Sequence, residues 1–224
     1  MDISLSFREE GSGFPLILLH GNGENSAYFT PQTEFFKNIY HVYAIDTRGH
    51  GNSPRGTAPF TLVQFAEDLE CFMDEHNIQK AHILGFSDGA NIALLFALKH
   101  PDRIAKLILN GGNLFPAGMK FLVRLPVETG YRIAKCSKKE SSVKKAELLG
   151  LMVNEPDISP EDLHKIDIPV LVIAGTHDMI KEKHTRLIAE NIRDAELLFI
   201  RGSHFVSEEN PDAFNTAVKT FLEK

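Results

Sequence analysis

The chain has no tryptophan, and its 224 residues include only two cysteines, Cys71 and Cys136. Two cysteines so far apart provide neither a disulfide framework nor a zinc-ligand spacing. No apolar run reaches the roughly 20 residues that a membrane-spanning helix takes. The opening stretch "MDISLSFREEGSG" lacks the basic segment followed by an apolar segment that marks a signal peptide. An excess of positive charge is missing too. The net charge is −6, with Lys and Arg spread along the chain, which argues against nucleic acid or an anionic membrane as a partner. The main basic cluster, Lys135 to Lys145, is interrupted by Glu140 and three serines and reads as a solvated helix face. Ten histidines are present, yet no H-x-x-x-H or H-E-x-x-H pair occurs, so no dedicated metal site and no cofactor are expected. These absences together predict a protein of the reducing cytoplasm.

What is present is a rhythm of short apolar runs. They are "SLSF" (4–7), "PLILLH" (15–20), "HVYAID" (41–46), "AHILGF" (81–86), "KLILNG" (106–111), "PVLVIAG" (169–175) and "ELLFIR" (196–201). Most are continuous rather than alternating, as strands buried on both faces are. Helical spacing lies between many of them, over 61–76, 89–99, 183–192 and 211–222. Strand and helix in alternation predict a mostly parallel sheet of about seven strands with helices on both faces.

One segment departs from the rhythm. Residues 113–167 replace an ordinary connection of about 2–6 residues besides its helix. Helical patterns run through 118–135 and 139–153, followed by a loop with an expected N-cap at Ser159. The division expected is a core of 1–112 and 168–224, with 113–167 as a small helical lid.

In an open parallel sheet, ligands bind beyond the C-terminal ends of the strands. The polar residues that follow the strands are therefore informative. They include "HGNG" after 15–20, "DTRGHGNS" after 41–46, Ser87 after 81–86, "THD" after 169–175 and "GSH" after 196–201. A serine, an aspartate and a histidine thus fall at one sheet edge in the order Ser87, Asp178, His204. Asp157, Asp162 and Asp167 are nearby in sequence, but none follows a strand. Ser87 stands in "GFSDG", between Gly85 and Gly89, where a strand pattern gives way to a helix pattern. A sharp turn there lifts the hydroxyl above the sheet edge, and the backbone N–H of Asp88 opens the helix beside it.

Taken in order, "HGNG", "DTRGHGNS", "GFSDG", "GTHD" and "GSHF…ENP" resemble the α/β-hydrolase superfamily, in particular its lipase–esterase type. There is some likeness to biphenyl-hydrolase-like members, whose elbow also reads S-D-G. The resemblance covers residues 14–112 and 168–222 well and the insertion poorly. It implies a serine hydrolase with Ser87 as nucleophile, His204 as general base and Asp178 as the acid that orients the imidazole. It also implies a second oxyanion donor, the backbone N–H of Asn22, besides that of Asp88. The implied substrate is a small-molecule acyl compound, a small or medium carboxylic ester. The same triad serves thioesters, lactones, amides, C–C bonds or perhydrolysis, and a non-catalytic binding protein on this scaffold is a further alternative. A nucleotide-binding reading of "HGNGENS" lacks G-x-G-x-x-G and G-x-x-x-x-G-K-[ST]. The implied roles of His20, Arg48 and His50 are to brace loops, and Asp46 is not the triad acid. Cys71 reads as buried packing. Asp88 has two readings, an acid in the first turn of a helix or a group that recognises a cationic substrate. The apolar residues Leu114, Phe115, Met119, Phe121 and Leu122 of the insertion are expected to line the acyl pocket above Ser87. Packing of the insertion onto the core is the other reading of them.

Overall fold

Seven strands form a single sheet in a computed structural model that describes residues 2–224. They are β1 (Phe7–Gly11), β2 (Pro15–Leu19), β3 (His41–Ile45), β4 (Ala81–Phe86), β5 (Ile104–Asn110), β6 (Val170–Gly175) and β7 (Ala195–Ile200), in the spatial order β1-β3-β2-β4-β5-β6-β7. All neighbours are parallel except β1, which runs antiparallel to β3. The central strands β4 and β6 are buried along their whole length. They therefore need apolar residues on both faces, which is why their sequences do not alternate.

The edge strand β1 differs from expectation. The apolar run at 4–7 marked it too early. The strand is "FREEG", and four of its five residues are exposed. An outermost strand with a solvated face has no need of an apolar run, and its charges discourage pairing with another chain.

Eight helices surround the sheet among the described residues: α1 (Thr30–Phe36), α2 (Leu62–Glu75), α3 (Asp88–Lys99), α4 (Phe121–Lys135), α5 (Glu140–Asn154), α6 (Glu182–Asn191), α7 (Val206–Glu209) and α8 (Pro211–Leu222). The sheet separates two apolar clusters. Ile17, Ile83, Phe72, Phe96 and Leu107 belong to one. Leu16, Phe36, Leu84, Phe214 and Phe221 belong to the other. Adjacent residues of one strand, such as Leu16 and Ile17, go to opposite faces, as the pleat requires. Burying one such side chain is worth about 1.5–3 kcal/mol.

Residues 113–167 carry α4 and α5, which pack on each other. Ser159 does precede a short 3-10 helix, Pro160–Lys165, but its side chain caps no backbone N–H. Its hydroxyl donates to Glu161 instead. The basic cluster is not one helix face: Lys135 ends α4, Lys138 and Lys139 lie in the turn, and Lys144 and Lys145 belong to α5. Cys71 is half-buried, not enclosed. No helix among the described residues is long and apolar enough to cross a membrane.

Candidate active site

Strand β4 delivers Ser87 into a sharp turn. Ser87 has φ 53° and ψ −118°, a region that costs a non-glycine residue about 1–3 kcal/mol and persists only where the surroundings enforce it. The surroundings here are close. The Ser87 N–H donates to the Asn110 carbonyl at 2.8 Å. A Cβ at Gly85 would meet the Gly89 carbonyl, and one at Gly89 would meet the carbonyls of Leu19 and His20. The two glycines thus let the end of β2 and the start of α3 come together under Ser87.

His204, in the loop after β7, and Asp178, in the loop after β6, are each only 4% exposed. The His204 Nε2 lies 3.0 Å from the Ser87 Oγ, and its Nδ1 lies 2.7 Å from the Asp178 Oδ1. A carboxylate can only accept, so Nδ1–H donates to Asp178 and Nε2 is left to accept from the Ser87 hydroxyl. The Ile180 N–H also donates to Asp178 Oδ1, at 2.8 Å, which fixes the carboxylate. Gly111 closes the pair from behind at φ +64°. A Cβ there would stand 2.8 Å from His204 Cε1 and 2.9 Å from Nδ1. The ring of Phe86 packs 4.9 Å from the imidazole. The structure therefore brings Ser87, His204 and Asp178 into one hydrogen-bonded line.

The loop after β2 runs alongside. His20 is buried. Its Nδ1 donates to the Gly21 carbonyl, so its Nε2 accepts the Thr47 N–H at 3.0 Å. Burial lowers its pKa to about 4, which keeps it neutral in that role. Arg48 is fully buried and forks onto Asp68 at 2.7 Å through two nitrogens, with a third contact to Asp2. Asp46 accepts the N–H groups of Ser26 and Asn52. These residues brace loops, and Asp46 is far from the role of triad acid.

Neither the Asn22 nor the Asp88 backbone N–H donates to another group among the described residues. The Asn22 side chain is engaged, with Nδ2 donating to Asp88 Oδ2 at 2.9 Å and to the Leu148 carbonyl at 2.8 Å. The Asp88 carboxylate is 7% exposed and also accepts from Asn91. Burial pushes its pKa up. It is committed to these amides, which fits the helix-turn reading better than a free anion awaiting a cationic substrate.

Sequence reasoning passed over Glu24. Its carboxylate accepts the Gly21 N–H at 3.2 Å, and burial, opposed in part by that hydrogen bond and by the nearby His204, pushes its pKa up to about 7. A polar residue in a loop gives no sequence signal of such partial burial.

The five apolar residues of the insertion are scattered. Leu114 and Met119 are buried, Leu114 in the core cluster, and the Phe115 ring stands edge-on to His184 at 4.6 Å. Phe121 and Leu122 are 58% and 84% exposed at the start of α4. None of the five lines either of the two larger cavities. One, of about 600 Å³, lies between α5 and the 49–60 loop and is bounded by Ser53, Arg55, Phe60, Lys144, Glu147 and Leu148 among others. The second, of about 370 Å³, lies between α4, α5 and Phe60. Leu114 and Phe115 pack on the core, Met119 is buried against Ile180, and Phe121 and Leu122 are exposed.

Glu67, Glu70 and His100 come together on the outside of α2 and just past the end of α3, with Lys99 paired to Glu67. They lie at the far end of α3 from Ser87 and take no part in this site.

The family model for the α/β hydrolase fold matches residues 15–134. RutD of Caulobacter sp. (strain K31), named as a candidate carbamate hydrolase, is 30% identical, with 92% of this chain and 90% of that protein aligned. The 3-oxoadipate enol-lactonase 2 of Acinetobacter baylyi is 26% identical over 100% of this chain and 94% of its own. The crystal structure of the enol-lactonase from Burkholderia xenovorans LB400 superposes with a TM-score of 0.84 at 24% identity, covering 99% of this chain and 97% of that one. This last likeness is one of fold.

Proposed function

This chain is a hydrolase of the α/β-hydrolase family, and from that premise we propose that it cleaves a small or medium carboxylic ester through an acyl-enzyme on Ser87. The observation that carries the reading is the line from Ser87 Oγ through His204 to Asp178, at 3.0 and 2.7 Å. In this mechanism His204 Nε2 takes the Ser87 proton as Oγ attacks the acyl carbon. Asp178 holds the ring and stabilises the imidazolium. The Asn22 and Asp88 N–H groups receive the oxyanion, each worth roughly 3–4 kcal/mol in the transition state. The alcohol leaves with the proton from His204. Water then enters, gives its proton to His204 and attacks the acyl carbon, and Ser87 Oγ recovers the proton as the acid departs.

In this reading residues 113–167 form a lid. Its support is the contact of the Leu148 carbonyl with Asn22, which sets α5 against the oxyanion loop. Leu148 also bounds the 600 Å³ cavity, none of whose lining residues belongs to the triad or to the Asn22–Asp88 pair. The substrate in this reading is a small molecule.

A lactone or carbamate is the second reading, favoured by what the two relatives are named for. The acylation step is the same. With a lactone the leaving alcohol stays tethered to the acyl group. The test is a panel of p-nitrophenyl esters from acetate to laurate, with lactones, carbamates and thioesters, on wild type and Ser87→Ala. Short or medium esters should show the highest kcat/KM, with all turnover lost in the variant. A panel dominated by lactones would move the assignment to the second reading, and turnover that survives in Ser87→Ala would sink both.

A further inference from the structure

The Asn22 amide nitrogen has two hydrogens, and both are used. One goes to Asp88 Oδ2, 66 residues on, and the other to the Leu148 carbonyl in α5, 126 residues on. Three separate segments meet on one nitrogen: the loop after β2, the turn that carries Ser87, and the helical insertion. The junction is backed by further amides. Asn91 Nδ2 donates to Asp88 Oδ1 at 3.3 Å and to Asn113 Oδ1 at 3.1 Å, and the Asn113 N–H returns to Asn91 Oδ1 at 2.8 Å. Asn113 is the first residue of the insertion, so the network ties it at its entry and again at α5. No cation within salt-bridge distance balances Asp88 among the described residues. A buried carboxylate held only by amides is costly unless each lone pair is directed, and the amides here give it a fixed orientation.

We propose that the Asn22 side chain is a positioning residue: by clamping Asp88 to α5 it fixes the spacing of the Asn22 and Asp88 backbone N–H groups and makes that spacing depend on the seating of the insertion. The proposal rests on the reading of those two N–H groups as the oxyanion donors. It has a simple physical basis. The two donors belong to different loops, and beyond the β2–β4 ladder no backbone hydrogen bond among the described residues joins those loops. The side chains of the same two residues are hydrogen-bonded to each other at 2.9 Å, so the cross-link sits directly on the pair that has to stay in register. A misplacement of about 1 Å in such a site can cost about 10²-fold in rate.

The experiment uses two substitutions that leave the Asn22 backbone N–H in place. Asn22→Ala removes the clamp. Asn22→Asp keeps the shape but turns a donor into an acceptor facing Asp88, and so repels it. Both should lower kcat on the best ester of the panel by about 10- to 100-fold, with KM changed much less, and Asp should be at least as damaging as Ala. A role that is only steric would leave Asn22→Asp close to wild type. Amide hydrogen exchange in α5 gives a readout independent of turnover and should quicken in both variants while the sheet stays protected. If either variant fails to fold, Asp88→Ala removes the acceptor from the other side and should show the same kcat loss and the same exchange. Wild-type kcat together with unchanged exchange in α5 would overturn the proposal while leaving the esterase reading intact. A wild type that neither hydrolyses the panel nor is labelled at Ser87 by a phosphonate would remove the esterase reading, and the oxyanion part of this proposal with it.

Discussion

Helix α3 buries nine of its twelve residues. Helices α4 and α5 have fifteen residues each, and each buries one, Ala134 and Leu151. The sheet and its helices are held by enclosed apolar area, whereas α4 and α5 bury little of their own, and the insertion is held by Leu114, Leu151, Ile158, Leu163 and Ile166 in the core cluster together with directed contacts at its ends and edges. The Leu114 N–H donates to His184 Nε2 at 2.9 Å, the Lys120 N–H to the Met179 carbonyl at 2.9 Å, and the Lys181 N–H to the Gly118 carbonyl at 3.0 Å. Arg55 pairs with Glu147 at 2.7 Å, and Asn22 holds Leu148. The contrast teaches that the two parts answer to different kinds of damage. The frame that sets Ser87, Asp178 and His204 depends on packing and tight backbone approach. The exposed faces of α4 and α5 are free to vary without unfolding the frame.

The contrast can be broken most strongly at the triad. Asp178→Asn preserves the shape of the site but removes the acceptor that fixes the imidazole tautomer, so kcat should fall on the order of 10⁴-fold. The thermal midpoint should barely change. A rate near wild type would move the acid role elsewhere.

A substitution in the frame comes next. Phe96 is fully buried in the larger cluster, and Phe96→Ala should cost about 3–5 kcal/mol in denaturant unfolding. The matched change in the insertion, Ile133→Ala at an exposed position of α4, should stay within about 0.5 kcal/mol. Equal losses would erase the distinction between the two parts.

Gly111→Ala is a smaller perturbation of the frame with an effect on the site. The new Cβ falls 2.8 Å from the His204 ring and takes up a left-handed backbone. Displacing the imidazole should lower kcat by about 10²-fold. A variant with unchanged kcat would show that the ring has room to move.

The smallest expected effect is on pH. His184 anchors the insertion as an acceptor, and burial, helped by Lys181, lowers its pKa to about 4. The unfolded chain takes up the proton below about 6.5 while the native site refuses it. The stability that this group contributes is therefore present above about 6.5 and is lost as pH falls from there towards 4. His184→Gln keeps an acceptor for the Leu114 N–H but cannot titrate. The variant should show a shallower fall of stability over that range, and an equal slope in the two proteins would contradict the assignment.

The parts of the molecule that could be read from sequence are those governed by burial on both faces. The runs at 81–86 and 169–175 coincide with β4 and β6 to within a residue. The residues that follow β4, β6 and β7 are the ones the structure joins at Ser87. Where one face is solvated, the signal weakens. The apolar run at 4–7 points to a strand there, whereas the paired residues are the largely charged 7–11, and the seven-residue α1 carries no clear helical spacing. The role of Asn22 in holding α5 had no sequence signature at all, because it depends on a contact across 126 residues. Phe121 and Leu122 are exposed at the start of α4, an orientation their sequence does not announce. Apolar character alone does not say which way a helix turns its face.

The central claim is that Ser87 is the nucleophile, and covalent trapping tests it most directly. Wild-type protein treated with a fluorophosphonate should gain one adduct by intact-mass spectrometry, mapped to the peptide containing Ser87. Loss of ester turnover should parallel its formation, and Ser87→Ala should take no label. An adduct on another residue, or an unlabelled enzyme that still turns over the ester, would contradict the account.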